Sequence, residues 1–440
     1  MAYWYRRVFL LAIPLILSNL TQPLLSTVDT VLSGHLPGAA ALGGVAIGGI
    51  FFNGVFWTFG FLRMGTTGLV AQAFGARDTD SLRLHLLRAL LSALLIGALV
   101  LLLRGPLIAM AISLLGASPE VRVNALLYCH IRIWSAPAAL ANYVILGNLL
   151  GRQRARTALA LQATINLVNV AVALWMVIHL HWGVAGIATA TLSADWAGCL
   201  LGLTLTRHQG VLGSGPIHWR ELADSVSLRH LFALNRDILI RTVGLVGAYA
   251  WFTRTGARSG DTILAANALL MNLHLIASYG LDGFANATEA LVGESVGARQ
   301  LDAFRSVLRA STTAAFVVAA CVSLLYLACG HQLIALFTNQ ESVRALATRF
   351  LPWVVVLPII SVWGFLMDGV FIGATRAHDL RNSMLLSVGV FLVLAVTLER
   401  LIGNHGLWCA FCLFNAMRGL TLGLLVPRIK KTFVQAAPVS

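Results

Sequence analysis

The sequence predicts an all-α membrane protein of twelve transmembrane helices, arranged as two six-helix bundles related by a pseudo-two-fold axis along the membrane normal. Three observations predict it. Of 440 residues, 58% are hydrophobic and only 11% charged, with a mean hydropathy of +0.82, whereas soluble domains carry about 25% charged residues. Apolar stretches of about 20 residues, the length that crosses hydrocarbon, recur about twelve times. The second half of the chain also repeats the first.

Taken in order, the apolar segments start near residues 8, 39, 85, 124, 156, 182, 229, 261, 303, 345, 381 and 405. The first follows Arg6 and Arg7 and runs well beyond the length of a signal peptide's apolar core, with no convincing small-residue cleavage site, so it reads as a retained helix. The connections alternate in charge. Alternate ones hold Arg77 and Arg83, then Arg152, Arg154 and Arg156, and further arginines up to Arg376 and Arg381, while those between them hold few basic residues: Arg122, Arg254, Arg258, Arg344 and Arg400. This asymmetry places both termini in the cytoplasm.

The longest polar interruption holds Gly210, Gly213, Ser214, Gly215 and Pro216 and falls at the midpoint. It reads as a linker. The expected organisation is residues 1–206 as an N-terminal lobe, 207–228 as a cytoplasmic linker, 229–427 as a C-terminal lobe and 428–440 as a cytoplasmic tail. Sliding the chain against itself aligns LVAQAFGARDTDSLR from Leu69 with LVGESVGARQLDAFR from Leu291, a shift of 222 positions that also brings Gly147 onto Gly369 and Gly151 onto Gly373. Six helices per copy, an even number, give both copies the same topology. Such a layout suits alternating access.

A net charge of +14 would suggest nucleic acid in a soluble protein. Here the basic residues cluster between apolar runs, as in helices oriented in a membrane, so nucleic acid is excluded as a partner and membrane lipid takes its place. The six cysteines, with only one CxxC at Cys409 and Cys412, complete no metal site and read as small apolar filler. No Walker A loop, GxSxG elbow or HExxH helix is present, so no cofactor and no enzyme chemistry is expected. Energy for uphill movement would then come from an ion gradient, since one charge crossing 100 mV carries about 2.3 kcal/mol.

The first helix holds the residue least expected in hydrocarbon. Asn19, Gln22, Ser26, Asp29 and Ser33 are spaced three, four, three and four apart, which stacks them on one helical face. A polar stripe must face protein or water, and an intramembrane carboxylate is a functional site by default. Low dielectric disfavours a charged carboxylate, so Asp29 is a group that can load and release a proton. The alternative is a permanently hydrogen-bonded packing acid. Pro14 and Pro23 each remove a backbone donor and make the helix a candidate hinge.

Further along, Gln162, Asn166 and Asn169 form a second stripe. They either line the same cavity or make interhelical hydrogen bonds worth about 0.6 kcal/mol each. Thr191 and, one turn later, Asp195 are weaker candidates for that wall. In the second half, His274, Ser278, Asp282 and Asn286 recur every four residues with Glu289 following, so two carboxylates share a face; they form either a relay or ion pairs with Arg236 or Arg241. Asp368 is another intramembrane acid, and with Arg376 two turns on pairing is again possible.

With two parallel six-helix repeats, Pro14, Gln22 and Asp29 on the first helix and repeated GAR turns at Gly75 and Gly297, the sequence resembles the MATE (multidrug and toxic compound extrusion) family. LNRDILIRTV from Leu234, YGLDGFANATEALVGESVGAR from Tyr279 and LMDGVFIGATRAHDLRNSM from Leu366 resemble its DinF branch. The resemblance implies export of small organic cations or amphipathic compounds, by a monomer in the bacterial inner membrane, in exchange for H+ or Na+. It implies that Asp29 couples the ion, with its helix bending at Pro14, and that Gln22 and Asn169 match family positions. The residue pattern adds Ser26, Asn166 and Thr191 as cavity-lining candidates, Pro23 as a second hinge, and Asp282, Glu289, Asp368 and His274 as secondary candidates in the C-terminal lobe. Many relatives carry an acid where Ala173 stands, so Asp29 is expected to be the single acid of its cavity and H+ the coupling ion. Two other readings are a lipid-linked precursor flippase, which needs a more basic cavity, and an intramembrane lipid enzyme using Asp282 and Glu289, for which duplicated bundles are unnecessary.

Overall fold

A computed structural model describes residues 1–36, 38–116, 118–212 and 219–435, with the side chains of 22–26, 219, 434 and 435 outside that set. Every element found in it is helical. The first half holds α1 (Ala2–Gly34), α2 (Ala39–Thr58), α3 (Phe61–Gly75), α4 (Thr79–Leu102), α5 (Arg104–Leu115), α6 (Pro119–Arg132), α7 (Ala136–Gly151), α8 (Ala155–Leu174) and α9 (Gly183–His208). After the short α10 (Trp219–Leu222) come α11 (Ser225–Arg258), α12 (Asp261–Gly297), α13 (Leu301–Phe337), α14 (Glu341–Gly373), α15 (Ala377–Ile402) and α16 (Asn404–Gln435). Hydrocarbon leaves backbone groups no external partner, which is why helices are the local solution.

Among the described residues ten helices, counting α2 with α3 and α6 with α7 as continuous spans, are long and apolar enough to cross a membrane. The sequence expectation is twelve. The two expected spans outside this set are α1, whose side chains at 22–26 lie outside the described residues, and α11, which at 34 residues is long enough but more polar. In α11 the interruptions are Arg229, Arg236, Asp237, Arg241, Arg254 and Arg258. The membrane-length helices expose apolar side chains freely: Leu95 and Leu102 of α4 and Leu324 and Leu327 of α13 are more than half exposed. That is the surface lipid requires.

The chain forms two compact units, residues 17–73 with 78–231, and residues 1–16 with 74–77 and 232–440. α1 therefore starts in one unit and ends in the other, running as continuous helix through the positions of Pro14 and Pro23. Its first half packs with the second unit: Arg7 pairs with Glu294 at 2.8 Å, Phe9 meets the ring of Phe284 at 5.7 Å, and Ile16 lies against Gly283. The first unit fixes the end of the interhalf segment instead. The buried Arg88 of α4 donates to the carbonyls of Glu221 and Leu222 at 2.5 and 3.2 Å. Residues 213–216 at the core of the expected linker and residues 436–440 of the expected tail lie outside the described residues.

The repeat is visible in the backbone. Arg77, Gln153 and His181 adopt left-handed φ values of 56°, 61° and 55°. Their partners 222 positions on, Arg299, Thr375 and Gly403, have 55°, 54° and 61°. Four of these residues end helices in the same way: the amides of Arg77, Gln153, Arg299 and Thr375 and of the residue after each fold back onto carbonyls three and five residues earlier, at 2.7–3.1 Å. This is the Schellman turn, usually built on glycine.

Close helix crossings repeat as well. In the first unit, Gly147 and Gly151 of α7 lie on the carbonyls of Arg63 and Thr67 of α3; in the second, Gly369 and Gly373 of α14 lie on those of Ala285 and Glu289 of α12. All four positions and their partners are related by the same shift. A Cβ at Gly369 or Gly373 would stand 2.3 Å from a carbonyl oxygen, so only glycine lets the helices approach this closely.

Gly369→Ala and Gly373→Ala are each expected to destabilise the second unit by about 1–3 kcal/mol through forced backbone shifts. Gly389→Ala, in α15 with open space around its Cβ, is the control. Thermal unfolding of the purified protein in detergent checks this: the α14 variants melt several degrees lower and Gly389→Ala does not.

Candidate functional site

Each unit holds a set of charged side chains among membrane-length helices. In the first, Asp29 lies near the end of α1 at 8% exposure, and its Oδ1 is buried without a hydrogen-bond partner. The guanidinium of Arg132 acts electrostatically on it and also on Asp195 of α9. Arg132 is the last residue of α6, beside the 3-10 turn Ile133–Ser135 that precedes Pro137. It donates through Nη1 to the buried Tyr128 hydroxyl at 2.6 Å and stacks over Phe52 at 4.7 Å. Two carboxylates thus share one guanidinium, so Asp29 is not the single acid of its unit.

The amides of α8 divide their work. Gln162 donates to Asn166 at 3.2 Å, and Asn166 donates to the backbone carbonyl of Thr21 in α1 at 3.4 Å. Asn169 donates to Thr191 of α9 at 2.9 Å, and both are buried. Asn166 and Asn169 thus each bridge two helices, and Gln162 supports the first bridge from within α8. The side chains of Gln22, Pro23 and Ser26 lie outside the described residues; Pro14 lies within α1, in the half that belongs to the second unit.

In the second unit Asp368 of α14 is fully engaged. Its Oδ2 accepts from Arg241 of α11 and, at 2.7 Å, from Arg418 of α16, whose side chain is only 2% exposed. Arg418 also donates to Asn415 at 3.3 Å. Arg376, the possible partner two turns on, pairs with Asp379 at 2.7 Å instead, because the turn after Gly373 carries it away from the helix face holding Asp368. Arg241, a suggested partner of Asp282 or Glu289, is held by Asp368, and Arg236 bonds Asp237 at 3.1 Å. Asp282 is half-buried and Glu289 buried. The buried His274 lies 3.3 Å from the Tyr249 hydroxyl, and its ring packs on Phe411 at 5.5 Å. Arg418, Asp282 and Arg241 all act electrostatically on Tyr249.

Three groups in these sets were passed over in the sequence. Arg418 is a lone arginine in an otherwise apolar run, which is itself the signal for an intramembrane functional or structural charge. Arg132 stands at a segment end, where an arginine reads as an interface anchor. Tyr128 carries no periodic mark. Among the described residues no group of three His, Cys, Asp or Glu side chains converges as a metal site.

The fold is that of an all-α, multi-pass membrane protein. It superposes on a MOP superfamily transporter from Pyrococcus furiosus with a TM-score of 0.87 at 18% identity, covering 98% of this chain and 96% of that one. The MatE family profile matches residues 14–175 and 245–397. The sequence is 44% identical over 420 residues to DNA damage-inducible protein F of Escherichia coli, covering 94% of this chain and 90% of that protein. It is 22% identical over 456 residues to the multidrug resistance protein MdtK of Pectobacterium atrosepticum, covering 99% and 96%. The chain belongs to the MatE family of multidrug and toxic compound extrusion transporters, on its DinF branch.

The two acids differ in what holds them, and stability separates them. Asp368→Asn leaves two buried guanidiniums short of a counter-charge and is expected to cost about 3–5 kcal/mol. Asp29→Asn removes a carboxylate with a buried, unpartnered oxygen and is expected to leave the melting temperature unchanged or higher. Parallel thermal unfolding of the two variants is the check.

Proposed function

We propose that this protein is a secondary active exporter in the bacterial inner membrane. It exchanges small organic cations or amphipathic compounds for protons, through protonation of Asp29. The observation that carries the reading is the buried Oδ1 of Asp29, with no hydrogen-bond partner and one guanidinium, Arg132, shared with Asp195. A single guanidinium balances only one of two carboxylates. The remaining negative charge takes either a proton or a cationic substrate, and that exclusion is the basis of exchange.

In this reading α1, with Pro14 and Pro23 as its hinge, changes shape as Asp29 changes charge. Gln22, Ser26, Asn166, Asn169 and Thr191 line the path, while Asp282, Glu289, Asp368 and His274 hold the C-terminal lobe. The working unit is a monomer of twelve spanning helices, α1 and α11 included, with lobes at 1–206 and 229–427 and both termini cytoplasmic. Supporting the substrate class are the family itself and the multidrug resistance named for MdtK.

The test is efflux of a fluorescent organic cation from proteoliposomes under a pH gradient alone and then a sodium gradient alone. Transport is expected with the pH gradient only, and Asp29→Asn and Asp29→Ala are expected to reduce it at least ten-fold. Transport driven by sodium alone, or unchanged in the Asp29 variants, refutes proton coupling through this residue.

A further inference from the structure

A cavity of about 350 Å³ opens between α13 and α16, well away from the charged sets described above, and is lined by Arg305, Leu308, Arg309, Thr312, Thr313 and Lys430. Five of these residues come from the first four turns of α13, and Lys430 comes from the last turns of α16. The two helix ends are held together by Phe304 against Phe433, at 5.4 Å between ring centroids. The lining is three cations, two hydroxyls and one leucine. Arg305 makes an ion pair at 3.2 Å with Asp302, whose side chain is 96% exposed, and such solvated pairs hold their partners weakly. Among the described residues no carboxylate pairs with Arg309 or Lys430, so the cavity carries at least two uncompensated positive charges beside hydroxyl groups, a donor set suited to phosphate oxygens.

Its position on the helix identifies the kind of phosphate. Phe316 and Leu327 follow Arg309 by about two and five whole turns, so they lie on the same face of α13 as the cavity. Both are exposed, Phe316 by 40% and Leu327 by 65%. Residues 305–313 are the polar start of a helix whose remainder is apolar enough to cross a membrane. A basic headgroup pocket thus stands directly above a lipid-facing apolar track. We propose that this cavity binds the phosphate of an anionic phospholipid, with an acyl chain lying along Phe316 and Leu327. Arg309 and Lys430 bind the phosphate oxygens, Thr312 and Thr313 flank them, and Leu308 closes the apolar side. Basic pockets between transmembrane helices recognise anionic headgroups in this way.

The experiment uses the full chain in phosphatidylcholine membranes and measures association of spin-labelled phosphatidylglycerol against spin-labelled phosphatidylcholine by electron spin resonance. The wild type is expected to prefer phosphatidylglycerol several-fold. Arg309→Gln with Lys430→Gln is expected to remove most of that preference, since each basic residue at the membrane surface adds to anionic-lipid attraction, whereas Arg400→Gln, at the far end of α15, keeps it. Arg309→Lys, which retains the charge, is expected to keep most of it and guards against a folding defect in the double variant. Competition separates lipid from free anion: 10 mM inorganic phosphate is expected to leave the preference intact. An undiminished preference in the double variant, its loss in Arg400→Gln, or its abolition by inorganic phosphate overturns the proposal.

Discussion

Hydrocarbon offers no hydrogen bond, and this one constraint orders the rest of the structure. It makes every described element helical, and it presses each polar side chain between helices to find a partner within the protein. Asn267 and Asn404 exchange amide bonds at 2.8 and 2.9 Å, and Trp408 adds its indole N–H to the same Asn267 oxygen at 2.9 Å. Asp368 collects two guanidiniums. Asp29 is held differently: its Oδ1 is buried without a hydrogen-bond partner, which is why an intramembrane carboxylate of this kind is a candidate functional group.

The two copies of the repeat share a backbone and differ in chemistry. Their left-handed turns coincide, as do the glycine pairs on which α7 meets α3 and α14 meets α12. Their acids do not: Asp29 corresponds to Trp251, and Asp368 corresponds to Leu146 of α7, a helix that holds no acid at all. Duplication supplied a scaffold whose close packing resists change, and each copy then placed its charges separately. One unit binds its acid to arginines firmly enough to serve as a fixed centre. The other leaves its acid loosely balanced.

Much of the fold was legible in the sequence because membrane helices are written as length and hydropathy, and because a shift of 222 positions keeps glycines in register. The count of twelve apolar segments was less secure at α11, where six charged residues interrupt the run. Asp29 was legible as a charge out of place. Its electrostatic partner was not, since Arg132 lies at a helix end over 100 positions away and nothing in local periodicity ties it to Asp29 or to Asp195. Asp368 failed in the opposite sense: the nearby Arg376 was an obvious partner along the helix, yet Arg241 and Arg418 reach it from other helices. Pairing within a helix can be read from spacing, whereas pairing between helices depends on how the bundle closes.

The attachment of α1 bears on the order in which the protein is made. Arg7 and Glu294 are 287 positions apart in the chain, so the opening turns of α1 find these packing partners only after α12 has been synthesised. Contacts of such long range form late. Until then the opening half of α1 has its polar and aromatic side chains without their final neighbours, and the segment depends on the lipid and the insertion machinery to hold it. The helix that carries Asp29 is thus synthesised well before its packing is complete.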